Sequence, residues 1–363
     1  MLTRRMLMAV GGAGVVASGF PGVAATPVLA VPTVDRLTLL IVTDSGTFGP
    51  FLDPQILPGL SITRAGNGGG NGPRMLPRAL LGEFGLSILG TSEGAGVRRT
   101  VMVDFGYSAL VLANNLDLLG VNPNTLDAAV LSHGHLDHYG GFAGLSAAGR
   151  KAAKRIPLVV GGEETFCERM ALIGNPPPVM GTLDRQALAL AGFDVRVESE
   201  PQIVADHAFT SGVIPLKSFE RAAIPTQMHP GVGCDRKLID PAKRDAVLVP
   251  DDGEHELATC YAVKGLGLVV IASCSHRGVL NSVRRAQAVS GIDRVHAVIG
   301  GFHLVKPRTE DEARRTVAEF ARIDPQYIIP MHCTGEVFIA EALRLMPDKI
   351  VPSYVGSKFS FAA

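Results

Sequence analysis

Short apolar runs bounded by glycine, aspartate or asparagine alternate with stretches of helical spacing along most of this chain. The run Arg36–Thr43 predicts a buried strand, and Leu86–Leu89 and Thr100–Val103 predict shorter ones. Asp104-Phe105-Gly106 then turns the chain into a helix predicted from Ser108 to about Leu119. Asp127–Leu131 is another apolar strand, and it runs straight into His133. A helix from about Gly141, the strand Ile156–Val160 and a helix from Glu163 continue the alternation. It resumes with strands Ala258–Lys264 and Leu268–Ala272, a helix from Val279 and the strand Val295–Ile299. The helix Glu310–Ile323, the strand Tyr327–Pro330 and a helix from Glu336 complete it. This order predicts a single α/β domain of two similar halves, sheets inside and helices outside, in four layers.

Two stretches break the pattern. Gly66–Pro73 predicts a loop, because glycine there loses entropy in any regular element. Residues 175–255, with Pro176-Pro177-Pro178 and many turn residues, predict loops or a small insertion over a site, the substrate-facing part of the fold.

Composition narrows the function classes. With 34 basic and 34 acidic side chains the formal net charge is zero, so no charge excess points to nucleic acid or to an anionic membrane surface. Tryptophan is absent and aromatics make up 6%, which argues against a base-stacking platform. The start of the chain differs from the rest. Thr3-Arg4-Arg5-Met6-Leu7-Met8 precedes a Gly/Ala-rich apolar run, Ala9 to Phe20, and then small residues through Ala24-Ala25 and Leu29-Ala30. Basic end, short apolar middle and small-residue exit form a secretory signal, and the middle is too short and glycine-rich for a stable membrane span. The paired arginines predict export by twin-arginine machinery, hence a periplasmic or secreted protein with residues 1–31 as signal and 32–363 as the domain. The five cysteines are odd in number, scattered and without a CxxC pair, so they predict no disulfide framework; an oxidising compartment permits one bridge.

Three of the ten histidines fall in Ser132-His133-Gly134-His135-Leu136-Asp137-His138, directly after an apolar strand. Neutral imidazoles and one carboxylate at this spacing suit a borderline-soft divalent cation, and Gly134 lets the backbone fold tightly enough for alternate side chains to converge. Further histidines end other predicted strands: His276 in Ser273-Cys274-Ser275-His276-Arg277-Gly278, His303 in Gly300-Gly301-Phe302-His303-Leu304, and His332 in Pro330-Met331-His332-Cys333-Thr334-Gly335. Strand ends in layered α/β folds converge at one edge, where sites are built. Cys274 and Cys333 read as small buried residues lining such a site. The remaining polar residues carry blander expectations: Asp251-Asp252 a solvated turn; His207, His229 and His255 surface loops, with pocket lining as the alternative; His296 a structural position in a strand; and Arg277 and Lys306 surface cations, with an anionic-substrate contact as the alternative.

His133-Gly134-His135-Leu136-Asp137-His138 resembles the HxHxDH signature of the metallo-β-lactamase-fold superfamily. The blocks around His276, His303 and His332 resemble the branch named for 7,8-dihydropterin-6-methyl-4-(β-D-ribofuranosyl)aminobenzene-5′-phosphate synthase, as do Glu83–Leu89 and Asp104-Phe105-Gly106. The resemblance spans about residues 37 to 335 and implies an αββα sandwich with metals at one edge of its two sheets. It implies that His133 and His135 bind one divalent ion and Asp137 and His138 a second, with His276 and His332 completing the shells. By the same resemblance His303 lies beside them as a further ligand or substrate contact, and Asp104 hydrogen-bonds the ligand loop. One departure leaves one or two ions open: many members carry a bridging aspartate where this chain has Ser273-Cys274-Ser275-His276. Zinc is the expected metal, with iron or manganese as alternatives. The expected activity is hydrolysis of an ester-type bond in a small, anionic substrate, phosphate esters and phosphodiesters first, with Asp137 and His303 as catalytic candidates. A pterin-diphosphate transferase and a non-catalytic metal-binding protein are the alternatives.

Overall fold

The computed structural model describes residues 28–47, 52–66 and 76–363. The export signal predicted for residues 1–31 lies outside them up to residue 27, as does the glycine-rich loop from residue 67. Leu29 donates a 2.7 Å hydrogen bond to the Val289 carbonyl, and both Leu29 and Val31 pack on the core.

Two large sheets face each other. The nine-stranded one runs, in spatial order, Phe193–Val197, Ile156–Val160, Ala128–Leu131, Val97–Val103, Ser87–Gly94, Arg36–Thr43, Ser357–Phe361, Leu60–Arg64 and Gln55–Leu57. The seven-stranded one runs Ile203–Val204, Ala208–Thr210, Thr259–Val263, Gly267–Ala272, Val295–Gly300 and Tyr327–Pro330, with Thr33–Val34 added beside Thr259–Val263. Apolar residues at alternating positions fill the space between the sheets, among them Leu37, Leu39, Ile41, Val101 and Val103 from one and Tyr261, Val269 and Ile271 from the other. The opposite faces of the same strands bury Leu112, Leu116, Leu145 and Leu188 on one side and Val283, Val317, Phe320 and Phe338 on the other. Because these strands are covered on both faces, they read as continuous apolar runs rather than strict alternation. The architecture is the expected four-layer αββα sandwich.

The helices follow their local signals. Ser108 caps Ala109–Leu118 through its side chain, and Thr309 and Glu312 form a capping box at the start of Glu310–Ile323. Two predicted helices are corrected. The one expected from Gly141 is a single turn, Gly144–Ala147, where Gly144 lies hard against the Ala109 carbonyl. The one expected from Glu163 is a 3-10 turn, Glu163–Phe166, followed by the strand Glu168–Ala171. Tertiary ties override helix propensity there: the Glu163 carboxylate accepts from the Asp235 amide and pairs with Arg185, Glu164 pairs with Lys243, and Cys167 is disulfide-bonded to Cys234.

The segment 175–255 also departs from expectation. Glu168–Ala171, Val179–Gly181, Thr226–His229 and Val249–Pro250 make a four-stranded antiparallel sheet, and other parts of the segment supply an edge strand to each large sheet. It is an integral part of the fold.

Candidate metal centre

Asp104, Ser132, Cys274, His303 and His332 each follow closely on the end of a strand: Val97–Val103, Ala128–Leu131, Gly267–Ala272, Val295–Gly300 and Tyr327–Pro330 respectively. All lie at one edge of the sandwich. The backbone there is held in unusual states: Asp104, Ser275, His303 and His332 have φ of 59°, 61°, 42° and 51°, left-handed values that L side chains rarely take. Strained residues of this kind cluster where the surrounding structure fixes them for a purpose. Gly301 shows how tight the edge is, since a Cβ there would lie 2.5 Å from the Ser273 carbonyl and 2.7 Å from Cys333 Sγ.

Six imidazoles converge. The His133 ring lies 4.6 Å from that of His135, 4.2 Å from His138 and 4.8 Å from His276. His276 in turn lies 4.4 Å from His303, and His138 lies 5.1 Å from His332. Leu136–Tyr139 is one helical turn that begins directly after His135, and it swings Asp137 and His138 toward the strand ends. The Asp137 carboxylate stands 3.3 Å from His332 Nε2 and 3.5 Å from His138 Nε2. Every one of these side chains is buried, that of His332 completely although its backbone is partly exposed.

Two groups of donor atoms are close enough to share an ion: Asp137, His138, Cys274 and His332, and His133, Cys274 and His276. Their chemistry fits a divalent metal, because burial without an ion leaves them poorly satisfied. Among the described residues, His133 Nε2, His276 Nε2, His303 Nδ1 and His332 Nδ1 are buried with no hydrogen-bond partner. Orphaned nitrogens in a buried cluster of donor atoms are what a cation would relieve.

Cys274 is the site residue that sequence reasoning undervalued. Its Sγ lies 3.1 Å from His138 Nε2 and 3.3 Å from Cys333 Sγ, and it belongs to both donor groups. The available signal was its position: a thiol at the strand end where many relatives place a bridging carboxylate.

Asp104 sits behind the histidines. Its Oδ1 accepts from the Ser132 amide at 2.7 Å, and its Oδ2 accepts from Ser132 Oγ and faces His138 Nδ1, both at 2.8 Å. Ser132 Oγ is also 2.9 Å from His133 Nδ1. These contacts turn the Nε2 atoms of His133 and His138 toward the donor cluster, the usual arrangement around a ligating histidine.

Electrostatics divide the imidazoles into two sets. Burial, reinforced by neighbouring histidines, holds His133 and His276 well below the ordinary histidine pKa and lowers His303 to about 4. Burial also opposes a charge on His332, but Cys333, Asp137 and Asp44 outweigh it and push that group up to about 9. His138 is raised because Asp137 and Asp104 overcome its burial. Burial works to raise Asp137, yet the adjacent His138 and His332 hold it below the carboxylate range.

Several blander expectations are corrected. Asp251 is buried rather than solvated: Arg169 Nε donates to its Oδ2 at 2.8 Å, and Asp252 alone of the pair faces outward, bonded to Lys243. Arg277 is buried and donates to the Ile214 and Asp252 carbonyls, so it is no surface cation. His255 is buried, and its Nε2 accepts from the Gly134 amide. His207 is buried against Ser92 Oγ at 3.0 Å, and His229 is half-buried beside Glu168. His296 packs in the core between Tyr327 and Phe361, and Lys306 is exposed. At the rim, Phe84 is 62% exposed and its ring lies 4.8 Å from that of His332.

Comparison with known proteins agrees with this geometry. A family profile described as the metallo-beta-lactamase superfamily matches residues 95–161, which include the histidine cluster. The 7,8-dihydropterin-6-methyl-4-(beta-D-ribofuranosyl)-aminobenzene-5'-phosphate synthase of Methanocaldococcus jannaschii is 27% identical over 281 residues, covering 74% of this chain and 90% of that protein. An uncharacterised protein of the same organism is 25% identical, over 71% of this chain and 87% of its own. The crystal structure of a metal-dependent hydrolase of the beta-lactamase superfamily superposes with a TM-score of 0.62 at 22% identity, covering 89% of this chain and 98% of the other. Fold, histidine signature and relatives coincide: the metallo-beta-lactamase superfamily profile covers the histidine cluster, and the chain shares the fold of the hydrolase on which it superposes.

Proposed function

We propose that this protein is a metal-dependent hydrolase that turns water on an ester-type bond, with phosphate esters and phosphodiesters as the favoured class. The observation that carries the reading is the convergence of six buried imidazoles with Asp137 and Cys274, in which nitrogens of His133, His276, His303 and His332 have no hydrogen-bond partner. His133, His135 and His276 would hold one ion, Asp137, His138 and His332 a second, and Cys274 would serve either or both. A bound divalent ion of this kind lowers the pKa of water to roughly 7 and polarises the bond under attack.

The chain's own residues do the rest. Asp137, ionised between two imidazoles, accepts a hydrogen bond from the attacking water and orients it. His303 is neutral at pH 7, so it offers a lone pair or an N–H to the substrate without adding charge. The rim around Phe84 contributes apolar surface to the mouth. Zinc suits this nitrogen, carboxylate and thiol donor set. Arg4-Arg5 supports export in the folded state, which a fusion of residues 1–31 to a reporter would test by whether the reporter leaves the cytoplasm.

The second reading is a transferase in which the same centre stabilises a departing diphosphate. The similarity to a dihydropterin-ribofuranosyl-aminobenzene-phosphate synthase favours it. A substrate panel separates the two. Zinc-loaded protein is expected to hydrolyse a generic phosphodiester, phosphomonoester or lactone, with the rate falling at least about 100-fold in His135→Ala. Condensation of a pterin diphosphate with an aminobenzene ribotide, without hydrolysis of the panel, would establish the transferase instead. Tight metal with neither activity would leave a binding protein.

A further inference from the structure

Arg169 is 1% exposed and lies directly under the histidine loop: a Cβ added at Gly134 would meet its Nη1 at 2.7 Å and the Thr165 carbonyl at 2.2 Å. A buried guanidinium must be fully engaged. Arg169 donates to the Cys167 carbonyl at 2.8 Å, to the Glu164 carbonyl at 2.9 Å, to His255 Nε2 at 3.0 Å and, through Nε, to Asp251 Oδ2 at 2.8 Å. Asp251 is fixed from its other side by the Gly253 amide on Oδ1. Its Oδ2 accepts from Thr226 Oγ1 at 3.2 Å, and Thr226 Oγ1 stands 3.1 Å from His135 Nε2. Because the threonine gives its only proton to the carboxylate, its oxygen accepts from His135 Nε2–H. His135 is thereby held in the tautomer whose Nδ1 lone pair is free. Asp251 Oδ2 itself is 3.6 Å from His135 Nε2, too far for a direct hydrogen bond, so the hydroxyl is the link.

We propose that the buried chain Arg169–Asp251–Thr226, built on the four-stranded sheet, is a positioning device that fixes the tautomer and orientation of His135 for metal binding. The small sheet contributes to the centre in this way without donating a ligand: Arg169 and Thr226 lie on two of its strands, and Asp251 directly follows a third. The same guanidinium, through His255, also holds the Gly134 amide, so the middle of the His133–His135 turn and its His135 end are tied to one buried charge.

The inference rests on the metal-centre reading above, and its test separates the two. Zinc affinity is measured by chelator competition, and the visible spectrum is recorded on the cobalt-substituted full chain, for the parent, Asp251→Asn and Thr226→Val. Loss of such an outer partner typically weakens a site by about 10–100-fold. Asp251→Asn is expected to fall in that range with altered cobalt ligand-field bands, and Thr226→Val to shift the same bands with a smaller loss. A merely structural role would lower thermal stability and leave the loaded cobalt spectrum unchanged. If Asp251→Asn does not fold, Thr226→Val decides alone, because it keeps the Arg169–Asp251 pair. Parent-like zinc affinity and cobalt spectrum in the folded variants would overturn the proposal. A parent that binds no zinc would instead overturn the metal-centre reading.

Discussion

At the scale of single residues, metal binding turns on which side chains give lone pairs and which must first lose a proton. His133, His276 and His303 are already neutral, whereas His332 keeps its proton up to about pH 9. A metal that takes the His332 lone pair must expel that proton, so affinity should rise with pH between about 6 and 9, by up to about tenfold per unit for each proton displaced. Zinc competition at pH 6.5 and 8.5 checks the sign; equal affinity at both would remove His332 from the ligand set. Cys274 makes a second prediction, because its Sγ belongs to both donor groups while Cys333 belongs to neither. Cys274→Ser should abolish a sulfur-to-cobalt charge-transfer band in the near ultraviolet and weaken binding at least about tenfold, with Cys333→Ser leaving the band in place. The histidines were legible because three in six residues after an apolar strand have few other readings. Asp251 and Cys274 were not, because burial and a partner far along the chain give each its role: Arg169 lies 82 positions from Asp251, and His138 lies 136 from Cys274.

At the scale of elements, long apolar strands and capped helices declared themselves: Arg36–Thr43, Ile156–Val160, Glu310–Ile323 and Tyr327–Pro330 have the predicted bounds. Elements stabilised by partners rather than by their own pattern did not. The strand Ser357–Phe361 pairs with Arg36–Thr43 at the far end of the chain, and the four-stranded sheet is made of strands of four residues or fewer with mixed burial. That small sheet is also where covalent chemistry intervenes. The Cys167–Cys234 bridge closes 67 residues and anchors the turn whose carbonyls hold Arg169. Replacing both cysteines by serine should lower unfolding free energy by about 2–4 kcal/mol, read as a lower urea midpoint. An unchanged midpoint would mean that ion pairs alone hold the turn.

For the whole molecule, the sandwich explains why the site exists where it does. Strands of both sheets end at one edge, and the loops leaving them carry Asp104, the histidine cluster, Cys274, His276, His303 and His332 into contact. The two-sided burial of those strands makes the scaffold rigid, and a rigid scaffold can hold four left-handed residues in place around the site. No helix among the described residues is long and apolar enough to cross a membrane. The most direct test of the central claim is elemental analysis of the purified protein after reconstitution with zinc and removal of excess ion. One or two equivalents per chain, falling in His133→Ala and in His138→Ala, is the predicted result. A chain that retains no zinc, iron or manganese, with its fold intact, would contradict the account.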